Sequence, residues 1–482
     1  MTNQRSDRFD LVVIGAGAAG LSVASGGAQL GLKVALIEHN DMGGDCLNAG
    51  CVPSKALLAV AKAKHQVDEH AGHLGIKVRG EITVDYGDAM VHVRRSIDAI
   101  APHDSQERFE GLGVEVIRTR ARLLGPNAVQ AGDRRLMGTL IVIATGARAS
   151  LPPIPGLDAI PYDTNETLFQ RSVKPEKLVV VGGGPIGCEM AQAHARLGSD
   201  VVLIEQDKLL PKDDEEAVQC VRDSLSADGV EVREGYCLEK LVKTTQGFEA
   251  HCREMSNNSA VVLAGSDLLI AAGRQPNVEG LGLEAVGVAH TSRGIEVNQR
   301  LQTSVKSIYA IGDVTGGHQF THMAGSDASA FVRGALFRMP IKARKAKVPW
   351  VTFCDPELAQ YGMTEARARA SGDLFAVHRV DLKDLDRSVT DADTGGFAKI
   401  MLDRRHRLLG VTIVGGGAGD LLTPWLAIDA GQVKLQSVAG MIVPYPTRGE
   451  VTKRLAGLAF VDRLFSASTQ SLIRLLFRLP RF

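Results

Sequence analysis

The chain carries an internal repeat that decides most of its architecture. FDLVVIGAGAAGLSVASGGAQLGLKVALIEHN begins at Phe9 and EKLVVVGGGPIGCEMAQAHARLGSDVVLIEQD begins at Glu176. Gly15, Gly31 and Glu38 therefore fall on Gly182, Gly198 and Glu205, at a constant offset of 167 residues and without a gap. Each copy reads as a buried apolar strand, a glycine turn, a helix and a second strand ending in an acid. The turns are Gly15-x-Gly17-x-x-Gly20 and Gly182-x-Gly184-x-x-Gly187. In that pattern the first glycine makes a tight turn, the second lets the backbone approach a pyrophosphate, and the third lets helix and sheet pack closely. The helix N-terminus then offers free N–H groups and a positive dipole end to an anion. Glu38 and Glu205, about 20 residues on, can accept hydrogen bonds from a ribose diol. A single match is a weak signal; two in register, each with its strand and acid, predict two dinucleotide sites. A duplicated domain with one inactive site is the alternative, and the presence of both acids argues against it. Two sites in one chain suggest electron traffic between a bound flavin dinucleotide and a visiting nicotinamide.

The 482 residues suffice for two or three domains with sizeable cores. Lysine plus arginine equals aspartate plus glutamate, 55 each, so charge does not point to nucleic acid or membrane as the main partner. MTNQRSDRFD has no apolar run and does not read as a signal peptide. No segment approaches the roughly 18 apolar residues of a spanning helix. Seven scattered cysteines fit a reducing compartment, and a cytoplasmic location is expected.

TLIVIATGARASLPPIPG (139–156) is a strand running into a Pro/Gly-rich connection, an exit from the first domain. LLIAAGRQPN (268–277) repeats the strand-then-glycine form and closes the second. SIYAIGDVTG (307–316) is another buried strand, ending at Gly312-Asp313. PIKARKAKVPW (340–350) reads as a basic, proline-bracketed linker. GFAKIMLDRRHRLLGVTIVG (396–415) reads as two antiparallel strands around a polar turn, with helical patterns following. The expected fold is α/β. It has a discontinuous Rossmann-like domain over 1–150 and 276–346, a second over 151–275, and an α+β domain over 347–482.

GGDCLNAGCVPSK (43–55) places Cys46 and Cys51 just after Glu38, close to the first dinucleotide site. In an ideal helix five residues rise about 7.5 Å, beyond the roughly 7 Å limit for bridged Cα atoms. A Cys46–Cys51 bond therefore needs an irregular first turn, which Asn48, Ala49 and Gly50 can supply. Pro53 suits an early helical position, and Gly43-Gly44 permits close backbone approach to a flat ring. A thiolate at a helix N-terminus has a lowered pKa and reacts better. These features favour a redox-active pair. Metal binding is an alternative, but C-x4-C has no second Cys/His pair at ligand spacing; two unrelated buried cysteines are the other. Cys188, Cys220, Cys237, Cys252 and Cys354 read as core or surface residues rather than ligands.

With glycine turn, acid and GGDCLNAGCVPSK in this order, the chain closely resembles the class I pyridine nucleotide–disulfide oxidoreductases. Dihydrolipoyl dehydrogenase, glutathione reductase and mercuric reductase are members. The resemblance spans nearly the whole chain and includes IVIATG, AAGRQPN, YAIGD and FCDPELA. It implies FAD on Gly15, Gly17, Gly20 and Glu38, with Gly44, Gly146 and Gly273 nearby and Gly312-Asp313 at the ribityl and phosphate region. It implies reduced nicotinamide on Gly182, Gly184, Gly187 and Glu205, delivering hydride to the flavin. The flavin would then reduce a Cys46–Cys51 disulfide, leaving Cys51 as the thiolate against the ring and Cys46 as the thiol facing substrate. Lys55 would pair with Glu189 near the flavin, where a positive charge stabilises the reduced ring; two ordinary surface charges are the alternative. Glu205, with no arginine beside it in EQDKLLP, favours NADH over NADPH, NADPH remaining the second choice.

The thiol-disulfide members lend a His-Pro-Thr…Glu element to the partner subunit as general acid/base. Here the aligned stretch is IVPYPTRGE (442–450), with Tyr445 in the histidine's place, then Pro446, Thr447 and Glu450. A phenol with a pKa of about 10 is a poor proton shuttle at neutral pH. Tyrosine there resembles mercuric reductase, but no cysteine follows Cys354 to hand over a metal. IAPHDSQERF (100–109) resembles the same branch. The resemblance implies a homodimer, built by the C-terminal domain, that passes electrons from NAD(P)H through FAD and Cys46–Cys51 to a thiol-reactive acceptor. The acceptor would be a soft metal ion or a small disulfide. A dihydrolipoyl dehydrogenase that tolerates tyrosine, and a redox relay acting on a protein partner, are the rival readings. The tail SLIRLLFRLPRF, with Arg474, Arg478 and Arg481, is expected to pack on the dimer or on the chain's own surface; an amphipathic contact with anionic lipid is the alternative.

Overall fold

The computed structural model describes residues 7–80, 82–343 and 347–479. Glu81, linker residues 344–346 and Arg481 lie outside that set. The chain divides by contact into two compact units. The first comprises Met1–Ala61, Thr83–Gln206 and Arg233–Lys345, and the second Lys62–Ile82, Asp207–Val232 and Ala346–Phe482.

In the first unit, β1 (Asp7–Ile14) runs into α1 (Ala18–Gln29) and β2 (Val34–Glu38). The chain then makes α2 (Gly44–Asn48) and α3 (Cys51–His65). Next come β3 (Val114–Arg118), β4 (Arg134–Ile143) and a short α4 (Asn165–Leu168). The second repeat forms β5 (Lys177–Val181), α5 (Pro185–Arg196) and β6 (Asp200–Glu205), later joined by β7 (Asp267–Ile270). β8 (Ile308–Ala310) and α6 (Thr321–Phe331) return to the first repeat.

β3, β2, β1, β4 and β8 lie side by side and parallel, in register Val34↔Leu11↔Leu140 and Ile308↔Ile141. Parallel strands covered on both faces need apolar residues on both, which is why DLVVI and VALIE run without alternation. Leu11 and Val13 enter one core with α1 and α6, while Val12 and Ile14 enter another with Ile141, Ile143 and Ile308. β6, β5 and β7 repeat the arrangement, again parallel. The two repeats thus fold alike, each placing its glycine turn at the carboxyl end of its first strand, where open α/β sheets carry ligands.

The second unit is built on an antiparallel sheet. Its strands are β9 (Pro349–Thr352), β10 (Glu357–Gly362), β11 (Ala376–Asp381), β12 (Phe397–Leu402) and β13 (Leu408–Gly415), in the order β9-β10-β13-β12-β11. The expected hairpin of 396–415 is β12 and β13, paired antiparallel. α7 (Glu450–Leu464) covers this sheet, with Trp425 fully buried in the core.

Sequence order alone assigned residues 62–82 and 207–232 to the dinucleotide domains, whereas their contacts place them in this unit. Lys62 pairs with Asp355 at 3.3 Å, His65 with Asp228 at 3.3 Å, and Ser224 Oγ donates to Asp355 O at 2.6 Å. Buried Lys399 meets Asp214 at 2.8 Å, Glu365 at 3.0 Å and Glu216 at 3.2 Å.

The terminal helix α8 (Ala467–Leu476) has no buried residue, and Leu472, Ile473, Leu475, Leu476 and Phe477 are all exposed. Among the described residues, the tail's apolar side chains are not buried against the chain's own surface. The helix turns its apolar arc outward, and Ser466 caps its first turn by accepting from Thr469 N.

Candidate active site

The two glycine turns are built the same way. A Cβ at Gly15 would lie 2.3 Å from Ala144 O, and one at Gly182 would lie 2.5 Å from Ala271 O. A Cβ at Gly20 or at Gly187 would come within 1.8 Å of its own turn's first carbonyl. α1 and α5 follow the N-cap residues Gly17 and Gly184 with no side-chain cap, so the N–H groups of their first turns, Pro185 excepted, stay available to an anion.

Each acid clamps its own turn. Glu38 Oε2 accepts from Ala16 N at 2.7 Å, and Glu205 Oε2 accepts from Gly183 N at 2.6 Å. Glu38 Oε1 also accepts from Asn40 N at 2.7 Å. The motif leads only to the expectation of a ribose contact and does not announce these bonds to the turn.

The cysteine loop sits against the first turn. Gly43 N donates to Ala16 O at 3.0 Å, and a Cβ on Gly44, which has φ +62°, would stand 2.7 Å from Gly17 Cα. Gly146 and Gly273 border one short ribbon in which Ala147–Ala149 pairs with Arg274–Pro276. Ser150 N donates to Gly273 O and Asn277 N to Gly146 O. Arg274 reaches from this ribbon to Asp45 at 3.0 Å and Asp313 at 3.6 Å, while its Nε is buried without a partner among the described residues. Burial pushes the Asp313 carboxyl up to about 6, with Arg274 opposing. Glycine cradle, uncapped helix start and an unspent buried guanidinium N–H suit a dinucleotide with an anionic pyrophosphate, so these residues fit FAD.

Cys46 lies in α2 and Cys51 opens α3, with the helix broken between them at Ala49, whose φ is −143°. Both are free thiols, and each acts on the other's acidity. Cys51 is drawn down to about 6, first by the neighbouring Cys46 and then, against burial, by the Thr321 hydroxyl and the Lys55 charge. Cys46 is pushed up by the neighbouring Cys51 and by burial. Cys51 Sγ lies 3.3 Å from Thr321 Oγ1 at the first residue of α6. Lys55, one turn after Cys51, pairs with Glu189 of α5 at 2.9 Å, and Glu189 is buried. The surface-charge alternative for that pair is therefore set aside.

Tyr445 and Glu450 belong to the second unit and are described within it. Tyr445 is 69% exposed and donates its hydroxyl to Asp386 Oδ2 at 2.6 Å, which holds the phenol above its ordinary range. Glu450 opens α7, and its Oε2 is buried with no hydrogen-bond partner among the described residues. Cys188, Cys252 and Cys354 are buried, while Cys220 and Cys237 are half-buried. Thr321, Arg274, Asn165 and Asp386 escaped the sequence reading, since each meets its site partner across a long stretch of chain, 39 residues or more.

Two family models match the chain. Pyridine nucleotide-disulphide oxidoreductase covers residues 9–328, and the dimerisation domain of the same family covers 348–456. A mercuric reductase of Lysinibacillus sphaericus is 32% identical, over 96% of this chain and 84% of that protein. A dihydrolipoyl dehydrogenase of Thermus scotoductus is 34% identical, over 92% and 95%. A Cu(II) complex of the HOCl-induced flavoprotein disulfide reductase RclA from Escherichia coli superposes with a TM-score of 0.82 at 28% identity, covering 93% of this chain and 99% of RclA. The chain belongs to the pyridine nucleotide-disulphide oxidoreductases, FAD-dependent enzymes that use NAD(P)H.

Proposed function

We propose that the protein takes electrons from NAD(P)H and delivers them through Cys46 and Cys51 to a thiol-reactive acceptor, a soft metal ion or a small disulfide. The observation that carries this reading is the placement of Cys46 and Cys51 on either side of the α2–α3 break, with Cys51 against the Thr321 hydroxyl and one turn before Lys55. One partner is drawn toward thiolate at neutral pH, and the other keeps its proton. FAD, when bound, supplies two-electron transfer between the nicotinamide and the cysteines. Gly15, Gly17, Gly20, Glu38, Gly44, Gly312 and Asp313 would hold it, with Gly146 and Gly273 bordering the site. Gly182, Gly184, Gly187 and Glu205 would hold the nicotinamide dinucleotide, and Glu205 beside an arginine-free stretch favours NADH.

The residues have separable tasks. Lys55, anchored by Glu189, supplies positive charge one helical turn from Cys51. Cys51 carries the thiolate and Cys46 meets the acceptor. Oxidation of the pair, one thiolate and one thiol, forms one S–S bond and releases two electrons and the single proton of Cys46. Two soft thiolates also suit Hg(II) or copper as ligands, and the RclA relative was solved as a Cu(II) complex.

Tyr445 separates the candidate acceptors. Its proton is committed to Asp386, and its phenol is held above the ordinary range, so it does not supply a base at neutral pH. A metal ion needs no such base, whereas a dithiol substrate does. We take the protein to be a homodimer through the domain at 348–456, with Tyr445 and Glu450 approaching the other subunit's thiols. The dihydrolipoyl dehydrogenase reading is favoured by relatives of that name in Thermus scotoductus and Staphylococcus aureus. NADH oxidation measured with Hg(II), Cu(II), lipoamide and glutathione disulfide decides between the readings. Turnover with metal ions or glutathione disulfide but not with lipoamide supports the first, and rapid lipoamide turnover replaces it with the second.

A further inference from the structure

We propose that Asn165 and Asp45 form a clasp across the helix break between Cys46 and Cys51, positioning the two thiols and keeping their dithiol–disulfide couple strongly reducing. This rests on the proposed redox role of the pair.

The segment between the thiols has no helix to define it, since α2 ends at Asn48 and Ala49 leaves helical geometry. Ser54 Oγ donates to Gly50 O at 2.6 Å at one end of the break, and a buried amide holds the rest. Asn165 Nδ2 donates to Asp45 Oδ1 at 2.8 Å and to Ala49 O at 3.1 Å, so one side chain ties the residue before Cys46 to the middle of the break. Ala49 N donates to Asp45 O at 2.9 Å, closing the loop from the other side. Asp45 Oδ2 is held by Arg274 at 3.0 Å. The carboxylate folds so closely over the break that a Cβ at Gly50 would meet Asp45 O at 3.0 Å and Oδ2 at 3.1 Å. Asn165 is the first residue of α4, whose start is fixed by the Thr164 capping box, and it is only 7% exposed. The clasp is therefore mounted on a fixed element more than a hundred residues away.

Two consequences follow for the couple. A pre-held break lowers the entropy lost when the S–S bond closes, which favours the disulfide. The Asp45 carboxylate disfavours a thiolate on either cysteine, which disfavours the reduced form. Both effects make the dithiol a stronger electron donor. Neither residue touches the acceptor, so both are positioning residues.

The test equilibrates flavin-loaded protein with mixtures of reduced and oxidised dithiothreitol, then traps thiols by acid and alkylation and counts them by mass. Asn165→Ala is expected to shift the dithiol–disulfide equilibrium toward dithiol about tenfold, or roughly 30 mV for a two-electron couple. Asp45→Asn should move it the same way and lower the pH at which reduced Cys51 is alkylated. Asn165→Gln, which keeps an amide donor, should recover part of the shift. Wild-type equilibrium constants in both Asn165→Ala and Asp45→Asn, even with a lower melting temperature, overturn the clasp. If Asn165→Ala does not fold, Asp45→Asn alone decides. Absence of any Cys46–Cys51 bond in oxidised wild type instead removes the redox reading itself, and the clasp with it.

Discussion

Lys55 Nζ lies 2.9 Å from the buried Glu189 Oε2, joining the helix that Cys51 opens to the helix that follows the second glycine turn. One ion pair thus ties the thiol site of the first repeat to the dinucleotide helix of the second. It also fixes a cation one turn from a thiol whose acidity that cation raises.

Cys51 is expected to react as a thiolate with a midpoint near pH 6, its alkylation rate in reduced protein rising with pH through that value and then levelling. Cys46, pushed upward, should stay unmodified over the same range. Lys55→Met removes the nearby cation and should slow Cys51 alkylation at pH 6 roughly threefold. A flat pH profile, or faster labelling of Cys46, would contradict this assignment.

Gly44→Ala places a methyl 2.7 Å from Gly17 Cα at a residue with φ +62°. Both the clash and the backbone strain act on the loop that carries the thiols. The flavin dissociation constant should rise at least about tenfold, equivalent to roughly 1.4 kcal/mol. Flavin retention after gel filtration reads it directly.

Both tryptophans, Trp350 and Trp425, lie in the C-terminal unit, so their fluorescence reports that unit alone. Lys399→Ala leaves Asp214, Glu216 and Glu365 facing one another without their shared cation. Breaking a buried ion pair costs about 3–5 kcal/mol, and urea unfolding followed at tryptophan should shift accordingly.

Burial pushes Asp213 up to about 6, although Trp350 Nε1 donates to it at 2.6 Å. A carboxyl with a raised pKa holds its proton in the folded state between its ordinary 3.8 and about 6. Its contribution to stability therefore falls as pH rises through that window. Trp350 fluorescence should titrate near pH 6, and Asp213→Asn should remove that step.

The glycine turns and the cysteine loop were legible in sequence because each uses residues within one short stretch. No other residue type tolerates the carbonyl approaches at Gly15 and Gly182, and the break at Ala49 sits where Cys46–Cys51 spacing demanded one. Glu38 and Glu205 stand out in sequence as candidate ribose acceptors, but their bonds to Ala16 and Gly183 emerge only once strand and turn stand together. Thr321 lies 270 residues from Cys51, Asn165 lies 120 from Asp45, and Asp386 lies 59 from Tyr445. No local pattern announces such pairs, since the fold alone brings them together. Residues 62–82 and 207–232 join the C-terminal unit through contacts equally distant in sequence, such as Lys62 with Asp355 and Lys399 with Asp214.

Tyr445→His restores an imidazole that titrates near neutrality. General acid–base catalysis contributes about a hundredfold or more. The substitution should raise lipoamide turnover at least about tenfold, read by NAD+-dependent dihydrolipoamide oxidation. No gain would mean that the proton shuttle is not what limits this substrate.

The decisive measurement is NADH oxidation by flavin-loaded wild type and Cys51→Ser under anaerobic conditions, with Hg(II) or Cu(II) as acceptor. Multiple turnover by wild type and a loss of at least about a hundredfold in Cys51→Ser is the expected result, since the thiolate is the proposed electron exit. Equal turnover by both proteins would contradict it, because electrons would then leave without passing through the Cys46–Cys51 pair.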